Sequence, residues 1–230
     1  MVTRASPSRV PTGRNKTRAK SADAKEGVRD AFIDAGRTLL ATKGSKEYSL
    51  RAVAAAAGYS PGAIYKYFAD HRALLLAIRE QDLLAATIEF ERIAASEVNP
   101  ERRVKALCIG AAKYWIENFE QFETMFSLAP SSDVIRDSAG VPFGRGAIAA
   151  RSYDLFDKVI RDFLRAAESS AIDPKLAVDT LVAAVHGIVW FPNATKALAW
   201  SKAETMLSVL IDATLADWIN VSRPRASLKR

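Results

Sequence analysis

Residues 49–68 read SLRAVAAAAGYSPGAIYKYF and contain two helix signals separated by a glycine. Small and apolar residues recur at helical spacing in the first half, and Ser49 before them can accept a hydrogen bond from a free N–H group of the first turn. Gly58 can adopt the positive φ at which many helices end. Ser60 and Pro61 then form a second start signal, because proline is favoured at the first helical position. The pattern predicts two short helices joined by a tight turn.

This arrangement is typical of a helix-turn-helix, whose second helix enters the major groove of DNA with its first residues. Gly62 and Ala63 would bring the backbone close to base edges there. Tyr65, Lys66 and Tyr67 follow with two phenols and a cation, which are groups that bind phosphate oxygens. A plain helical hairpin with surface tyrosines fits the same spacing, since short alanine-rich helices with a glycine turn are common. The local pattern leaves both interpretations open.

With the helix before it, the segment 28–78 resembles the N-terminal DNA-binding domain of the TetR family of bacterial repressors. The resemblance covers roughly a quarter of the chain closely. It is carried by an ordered set of residues: Ala31-Phe32, Leu39-Leu40, Gly44, Ser49-Leu50-Arg51, Val53-Ala54, Ala57-Gly58, Ser60, Gly62, Ile64-Tyr65, Phe68 and Leu74-Leu75. Residues 183–187 with Trp190 further resemble the His-Gly segment of one group of TetR-type ligand-binding domains. The resemblance implies a TetR/AcrR-type transcriptional regulator.

The resemblance also indicates which side chains face an operator. His71 occupies a place where relatives often carry a lysine that contacts a phosphate, and a neutral imidazole is a weaker phosphate partner than an ammonium group. The residues predicted to bind double-stranded operator DNA are Ser49, Arg51, Ser60, Pro61, Gly62, Ala63, Tyr65, Lys66, Tyr67 and His71. Few of these side chains are long enough to read bases, so sequence specificity is expected to depend partly on DNA shape.

Positive charge is concentrated at the same end of the chain. Residues 1–78 contain 14 Lys and Arg against 6 Asp and Glu, whereas residues 79–230 contain 19 against 20. Such a field attracts phosphates, although a solubilising basic tail would give the same counts. Residues 1–22 are basic without apolar periodicity and are predicted to be a disordered arm that could reach along DNA. Residues 223–230 are predicted to be a basic tail.

Helical periodicity continues through the rest of the sequence, and no stretch alternates as a strand does. The predicted fold is all-α, with about nine helices. A three-helix helix-turn-helix DNA-binding domain is expected at 23–78, its first helix starting near Ala24 with Asp23 as the cap. A larger helical domain for effector binding and dimerisation is expected at 79–222.

The resemblance implies a homodimer. In relatives, the last two long helices pair with their copies from a second subunit. The matching segments here are 173–191 and 201–220, with Pro192 expected to end the first of them. Two DNA-binding domains on a twofold axis would bind a near-palindrome with half-sites one turn apart.

Aromatic side chains in the predicted body are the candidates for an effector pocket. They are Trp115, Phe119, Phe122, Phe126, Phe156 and Trp190, with His186 among them. Core packing explains these residues equally well, and a histidine on an apolar face is more often a hydrogen-bonded core or interface residue. If a pocket exists, its lack of clustered charge favours an apolar or weakly polar effector such as a fatty acyl chain or an aromatic or lipophilic drug.

Several classes of function are not supported by the sequence. The single Cys108 has no partner for a disulfide, and two distant histidines predict no metal site. Glycine loops for phosphates and nucleophile motifs are absent, so no catalytic residue, cofactor or enzyme activity is expected. The most apolar window, residues 181–191, is too short to span a bilayer. We expect a cytoplasmic, bacterial protein without a membrane partner.

The predicted function is a ligand-responsive DNA-binding transcriptional regulator: a repressor that binds a palindromic operator as a dimer and is released by a small apolar effector. Two other classes remain open. A helical protein that binds lipids or other hydrophobes, without specific DNA recognition, leaves the uneven charge unexplained. A general DNA-coating protein leaves the large aromatic body unexplained.

Overall fold

The computed structural model describes residues 14–43, 48–126, 136, 139–170 and 172–220. Within these ranges the chain forms eight α-helices and two short 3₁₀ turns, and its one β-bridge joins Arg136 to Pro142 without forming a strand. The helices are α1 (Arg14–Lys43), α2 (Leu50–Ala56), α3 (His71–Ala95), α4 (Pro100–Glu117), α5 (Phe119–Phe126), α6 (Ala147–Ala166), α7 (Pro174–Ala194) and α8 (Ala203–Asn220). The 3₁₀ turns are Ile64–Lys66 and Phe143–Arg145. The predicted all-α fold is confirmed.

Three of these helices begin at capping side chains. Asp70, Asn99 and Asp173 each accept a hydrogen bond from the backbone N–H group three residues later, at 2.8, 3.0 and 3.0 Å. Proline follows Asn99 and Asp173 at the first helical position, where its missing N–H group costs nothing. These side-chain oxygens satisfy N–H groups that have no partner inside the helix, and so fix where α3, α4 and α7 begin.

Helix α1 begins earlier than the sequence pattern predicts. It starts at Arg14 rather than Ala24, so Asp23 lies inside the helix, and the prediction of a disordered arm is wrong for residues 14–22. This segment consists largely of Arg, Lys and Ala, which are good helix formers, and uniform charge does not prevent them from extending a helix that is already nucleated. The other parts of the predicted N-terminal arm and C-terminal tail lie outside the described residues: 1–13 and 223–230.

Helix α7 continues through the proline that was expected to end it. Pro192 lies inside the helix, which reaches Ala194 and closes with the Thr195 N–H donating to the Phe191 carbonyl at 3.1 Å. Proline lacks the N–H group that would bond to the carbonyl of Ile188. Close to the end of the helix, this loss is limited to one hydrogen bond, so the last turn still forms.

The chain divides into two compact units, with the boundary between Ile78 and Arg79 inside α3. We call them the N-terminal unit and the C-terminal unit. In the N-terminal unit, α1 packs against α2, and α2 packs against the first 3₁₀ turn. Its fully buried side chains include Phe32, Ile33, Val53, Ile64 and Leu74. One apolar core therefore holds the short helix and the turn after it in place.

The C-terminal unit is built around α4, which packs against α6, α7 and α8. Its core is rich in aromatic rings. The ring of Phe90 on α3 contacts Tyr114, Trp115 and Phe156 edge-on, with centroid distances of 5.6, 6.0 and 6.1 Å. Edge-to-face pairs at such distances add to the stabilisation that comes from burying the rings.

Within the described part of the chain, α7 is long and apolar enough to cross a membrane by length and composition alone. A core helix of a soluble protein passes the same test. One face of α7 is buried in the C-terminal unit through Ala177, Val178, Leu181, Val185 and Val189. The helix therefore serves as a packing element of this core.

Candidate nucleic-acid interface and ligand cavity

The turn after α2 has the hydrogen bonds of a Schellman motif. The Tyr59 N–H group donates to the Ala54 carbonyl at 2.9 Å, and the Gly58 N–H group donates to the Ala55 carbonyl at 3.1 Å. Gly58 has φ +79°, as its place after the helix predicts. Any side chain would be strained at this φ, so glycine is required here. The motif reverses the chain and brings the following residues back against α2.

The start of α2 follows the prediction, whereas the second helix does not. The Oγ atom of Ser49 accepts a hydrogen bond from the Ala52 N–H group at 3.2 Å. An α-helix was expected from Pro61, but the first regular element is the 3₁₀ turn Ile64–Lys66, and Ser60 does not cap it. Such a short segment forms too few hydrogen bonds to repay helix nucleation, and 3₁₀ turns are common in short connectors.

Most residues predicted to contact DNA are exposed. Tyr65 is 53% exposed, and the others with exposed side chains or backbone are Ser49, Arg51, Ser60, Pro61, Gly62, Lys66 and His71. Ala63 and Tyr67 are half-buried. The buried Ile64 between them is the anchor that turns its neighbours outward. The result is an outer surface of small residues with a phenol and two cations, the groups that bind a phosphate backbone.

Tyr67 also has a packing role. Its ring contacts Phe32 edge-on at a centroid distance of 5.5 Å, and Tyr59 contacts the same Phe32 ring at 5.1 Å. Arg29 lies over the neighbouring Phe68 ring, with its guanidinium carbon 5.4 Å from the ring centroid. The tyrosines therefore tie the turn to α1, and Arg29 adds a cation beside it. Neither Tyr59 nor Arg29 was predicted as a site residue, because only their contacts across the fold bring them here.

The C-terminal unit contains a cavity of about 340 Å³, which we call the inner cavity. Its wall is mainly apolar and draws on α3, α4, α5, α6, α7 and the second 3₁₀ turn. The lining residues are Leu83, Phe90, Ala111, Trp115, Met125, Phe126, Phe143, Gly144, Ala149, Ser152, Tyr153, Phe156, Val182, Val185 and His186. A cavity of this size and character can hold a small apolar molecule.

A second cavity of about 510 Å³, the aromatic cavity, adjoins the first. It is lined by Phe122, Phe126, His186, Gly187 and Trp190. Phe126 and His186 line both cavities, so these two side chains form their common wall. Gly187 lines the aromatic cavity alone, and a Cβ atom added there would meet nothing within 4 Å.

Helix α5, which supplies part of both walls, is tied to α3 by a buried cation. The guanidinium of Arg79 donates from Nε and Nη2 to the Thr124 carbonyl, at 3.0 and 2.8 Å. Burial lowers the pKa of Arg79, and two hydrogen bonds to one carbonyl in the last turn of α5 compensate part of its lost hydration. This contact holds Met125 and Phe126 at the inner cavity.

The predicted pocket residues are divided between the two cavities. Trp115 and Phe156 line the inner cavity, Phe122 and Trp190 line the aromatic cavity, and Phe126 and His186 line both. Phe119 lines neither, but it packs against Phe122 and Trp190 at centroid distances of 5.9 and 6.1 Å.

Sequence reasoning missed much of the inner cavity wall. Ala149, Tyr153 and Phe156 are spaced so that they lie on one face of α6. A search for the apolar face that contains Phe156 would therefore have found the other two residues. Phe143 follows a proline in a short 3₁₀ turn, and no periodic signal marks it. Phe90 lies on α3, the helix whose first residues belong to the N-terminal unit. Only its packing in the folded chain shows that it lines this cavity.

Metal and thiol chemistry find no support in the part of the chain that the structure describes. No group of three or more His, Cys, Asp or Glu side chains there could hold a metal ion. Cys108 is buried, and burial raises the pKa of its thiol to about 12. The thiolate is therefore strongly disfavoured, and we assign this cysteine to the core.

Comparisons with known proteins agree with this geometry. Residues 32–78 match the model of a family described as bacterial regulatory proteins, tetR family. No curated protein matches the sequence. The structure resembles a protein of unknown function from Rhodococcus sp. RHA1, with 23% identity and a TM-score of 0.69 over 84% of this chain and 95% of that one.

Two similar structures come from proteins with regulatory names. The transcriptional regulator FadR from Bacillus subtilis, solved in complex with stearoyl-CoA, has 13% identity and a TM-score of 0.66 over 81% of this chain and 97% of that one. A TetR/AcrR family regulator from Thermobifida fusca YX-ER1 has 22% identity and a TM-score of 0.59 over 85% and 98%. At identities this low, the structural likeness establishes a shared fold alone.

Proposed function

We propose that the chain is a ligand-responsive DNA-binding transcriptional regulator of the TetR/AcrR type, and that it is a repressor that binds a palindromic operator as a homodimer. A small apolar effector releases it from DNA. It acts in the bacterial cytoplasm and has no enzymatic activity. The observation that carries the proposal is the surface of residues 60–66, which follows a glycine turn inside the segment that matches the family's DNA-binding domain.

Phosphate contacts supply most of the affinity for DNA in this proposal. Arg51 and Lys66 are exposed on either side of the turn, and His71 is exposed at the start of α3. Residues 1–78 carry the whole positive excess of the chain. Affinity should therefore fall steeply as salt rises. Gly62 is exposed with open space around it, so the backbone there can approach a base edge closely.

Exposed apolar residues on the last two helices support the proposed homodimer. Leu176 and Phe191 on α7 are 57% and 53% exposed, and Val209 and Leu210 on α8 are 66% and 36% exposed. Leaving such side chains in water is unfavourable, and a second copy would cover them. The proposed interface therefore consists of 174–194 and 203–220, close to the segments that the sequence indicated.

The two cavities are the proposed effector site. Their walls are mainly apolar, and the first lies in the size range of ligand pockets. The B. subtilis FadR with its stearoyl-CoA is a protein of this fold that binds a molecule with a long apolar chain. An effector can release DNA only if it binds the conformation that is unfit for DNA more tightly than the DNA-bound one.

A helical hydrophobe-binding protein without specific DNA recognition is the second candidate, and the cavities are the observation that favours it. A gel shift with the full chain separates the two. At physiological salt, the DNA upstream of its own gene should bind about a thousandfold more tightly than the same DNA scrambled. Equal affinity for both DNAs would exclude specific operator recognition and leave the hydrophobe-binding alternative.

Lys66→Ala tests the proposed contact surface in the same assay. Since each subunit of the dimer would lose one phosphate contact, the slope of log affinity against log salt should decrease by about two. Lys113→Ala is the matched control, because Lys113 is an exposed lysine of the C-terminal unit, with 60% of its side chain accessible. An unchanged slope for Lys66→Ala would show that the 3₁₀ turn does not face the phosphates.

A further inference from the structure

His186 holds its imidazole proton on a defined nitrogen. Its Nδ1 atom lies 2.7 Å from the Val182 carbonyl oxygen, one turn earlier in α7. A carbonyl oxygen can only accept a hydrogen bond, so Nδ1 must be the donor and carry the proton. Burial lowers the pKa of His186 and favours the neutral ring. In the neutral ring with a protonated Nδ1, Nε2 has a free lone pair and acts only as an acceptor.

Because Nδ1 bonds to a carbonyl of its own helix, Nε2 points away from that carbonyl. The ring lines both the inner and the aromatic cavity. It contacts Phe122 at a centroid distance of 5.6 Å and Phe126 edge-on at 5.0 Å. Among the residues that the structure describes, His186 makes no hydrogen bond besides the one to Val182. The ring contacts of His186 are therefore aromatic, and no described residue donates a hydrogen bond to Nε2.

The other polar groups of the inner wall offer little charge. The Tyr153 hydroxyl donates to Asp179 Oδ1 at 2.8 Å, so its proton is already engaged, and Asp179 also accepts from Lys175. Ser152 adds one hydroxyl. No lysine or arginine is among the described residues that line either cavity. A carboxylate placed here would lose hydration without gaining a cation, which disfavours its binding.

These features together define a chemical class of ligand. We propose that the lone pair of His186 Nε2 makes the two cavities selective for neutral apolar molecules that carry a hydrogen-bond donor, such as a phenol, an alcohol or an amide N–H. Molecules of the same shape that lack the donor bind less tightly, and carboxylates bind least. The inference rests on the proposed effector role of these cavities and names the class of effector that they take.

Three probes of one ring system test the selectivity in titration calorimetry with the full chain: 2-naphthol, 2-methoxynaphthalene and 2-naphthoate. One hydrogen bond to a half-buried acceptor corresponds to about a tenfold difference in affinity, so 2-naphthol should bind about tenfold more tightly than its methyl ether. The naphthoate should bind more weakly than both. In His186→Phe, the affinity for 2-naphthol should fall to that of the ether, while the ether keeps its own affinity.

Phe143→Leu is the control variant, because Phe143 lines the inner cavity without being part of the common wall. It should weaken 2-naphthol and its ether by the same factor and leave their ratio unchanged. Nitrogen-15 NMR of the unmodified protein provides a readout that needs no variant. With only two histidines in the chain, the unprotonated Nε2 signal of His186 can be assigned, and 2-naphthol should shift it while the ether should not.

Each result separates this inference from the proposed function. If 2-naphthol and its ether bind with equal affinity, or if the Nε2 signal does not respond, the donor selectivity is wrong and the cavities stand as an apolar site. If none of the three probes binds, the cavities are not an effector site, and the inference fails with it. Operator binding in the gel shift tests the DNA-binding part of the proposal in either case.

Discussion

The N-terminal and C-terminal units present their candidate functional groups in opposite ways. In the first unit, the candidate groups are exposed, and one buried residue, Ile64, anchors the turn that carries them. In the second unit, they line cavities among buried rings, and Trp115 and Phe156 serve the core and the cavity wall at once. In the N-terminal unit, the side chains proposed to bind DNA are not the ones that form the core. In the C-terminal unit, the same side chains line the cavity and form the core.

The sharpest test of this difference is a truncation at the cavity wall. Phe90 is 2% exposed, contacts three aromatic rings and lines the inner cavity. Phe90→Ala should lower the free energy of unfolding by about 3–5 kcal/mol in urea denaturation. Ile88→Ala, at a 53% exposed position on the same helix, should change it by about 0.5 kcal/mol or less. If Phe90→Ala lost as little stability as Ile88→Ala, the Phe90 side chain would line the cavity without contributing to the core.

A pair of glycines tests the N-terminal unit. Gly58 and Gly62 both have open space where a Cβ atom would be added, but only Gly58 has a positive φ. Gly58→Ala should therefore cost about 1–2 kcal/mol of stability through backbone strain, whereas Gly62→Ala should leave thermal stability nearly unchanged. If Gly62→Ala weakens operator binding without changing the melting temperature, close backbone approach to DNA is supported. Equal stability losses would contradict the role of φ.

The pH dependence of stability should be the smallest of these effects. Because burial lowers the pKa of His186 below its ordinary 6.5, the unfolded chain binds a proton more readily than the folded one. Stability from this group is complete above the unfolded pKa and is lost as the pH falls below it. As the pH falls below the ordinary pKa of histidine, the wild-type chain should lose more stability than His186→Phe, measured by urea denaturation. His71 is present in both proteins, so its contribution cancels. Parallel curves would contradict the burial of His186.

The sequence predicted best those features that depend on neighbours three or four residues away. Ser49 caps α2 and Gly58 has a positive φ, because each requirement is local. The resemblance that carried the family assignment lies in the same short segment. The start of α1 was predicted wrongly at Asp23, which is a suitable cap residue. Good helix formers precede Asp23 as well as follow it, so the helix extends through it to Arg14.

Features that depend on packing across the fold were predicted less well. The second helix was expected from Ser60 and Pro61, but the residues after them form only turns and a 3₁₀ turn. The aromatic residues of the C-terminal unit were named as core or pocket without a decision between the two. Phe143 joins them at the cavity only through the way the turn before α6 packs. No periodic pattern in the sequence carries that information.

The hydrogen bond between His186 and Val182 has a consequence for how such a site could diverge among related genes. Its acceptor is a main-chain carbonyl of the same helix, so substitutions at other positions leave the tautomer in place as long as α7 persists. Exchange of the surrounding aromatic and apolar side chains would alter the size and shape of the cavities without altering the polarity of Nε2. Descendants of this protein could therefore acquire effectors of new dimensions while keeping the demand for a single hydrogen-bond donor.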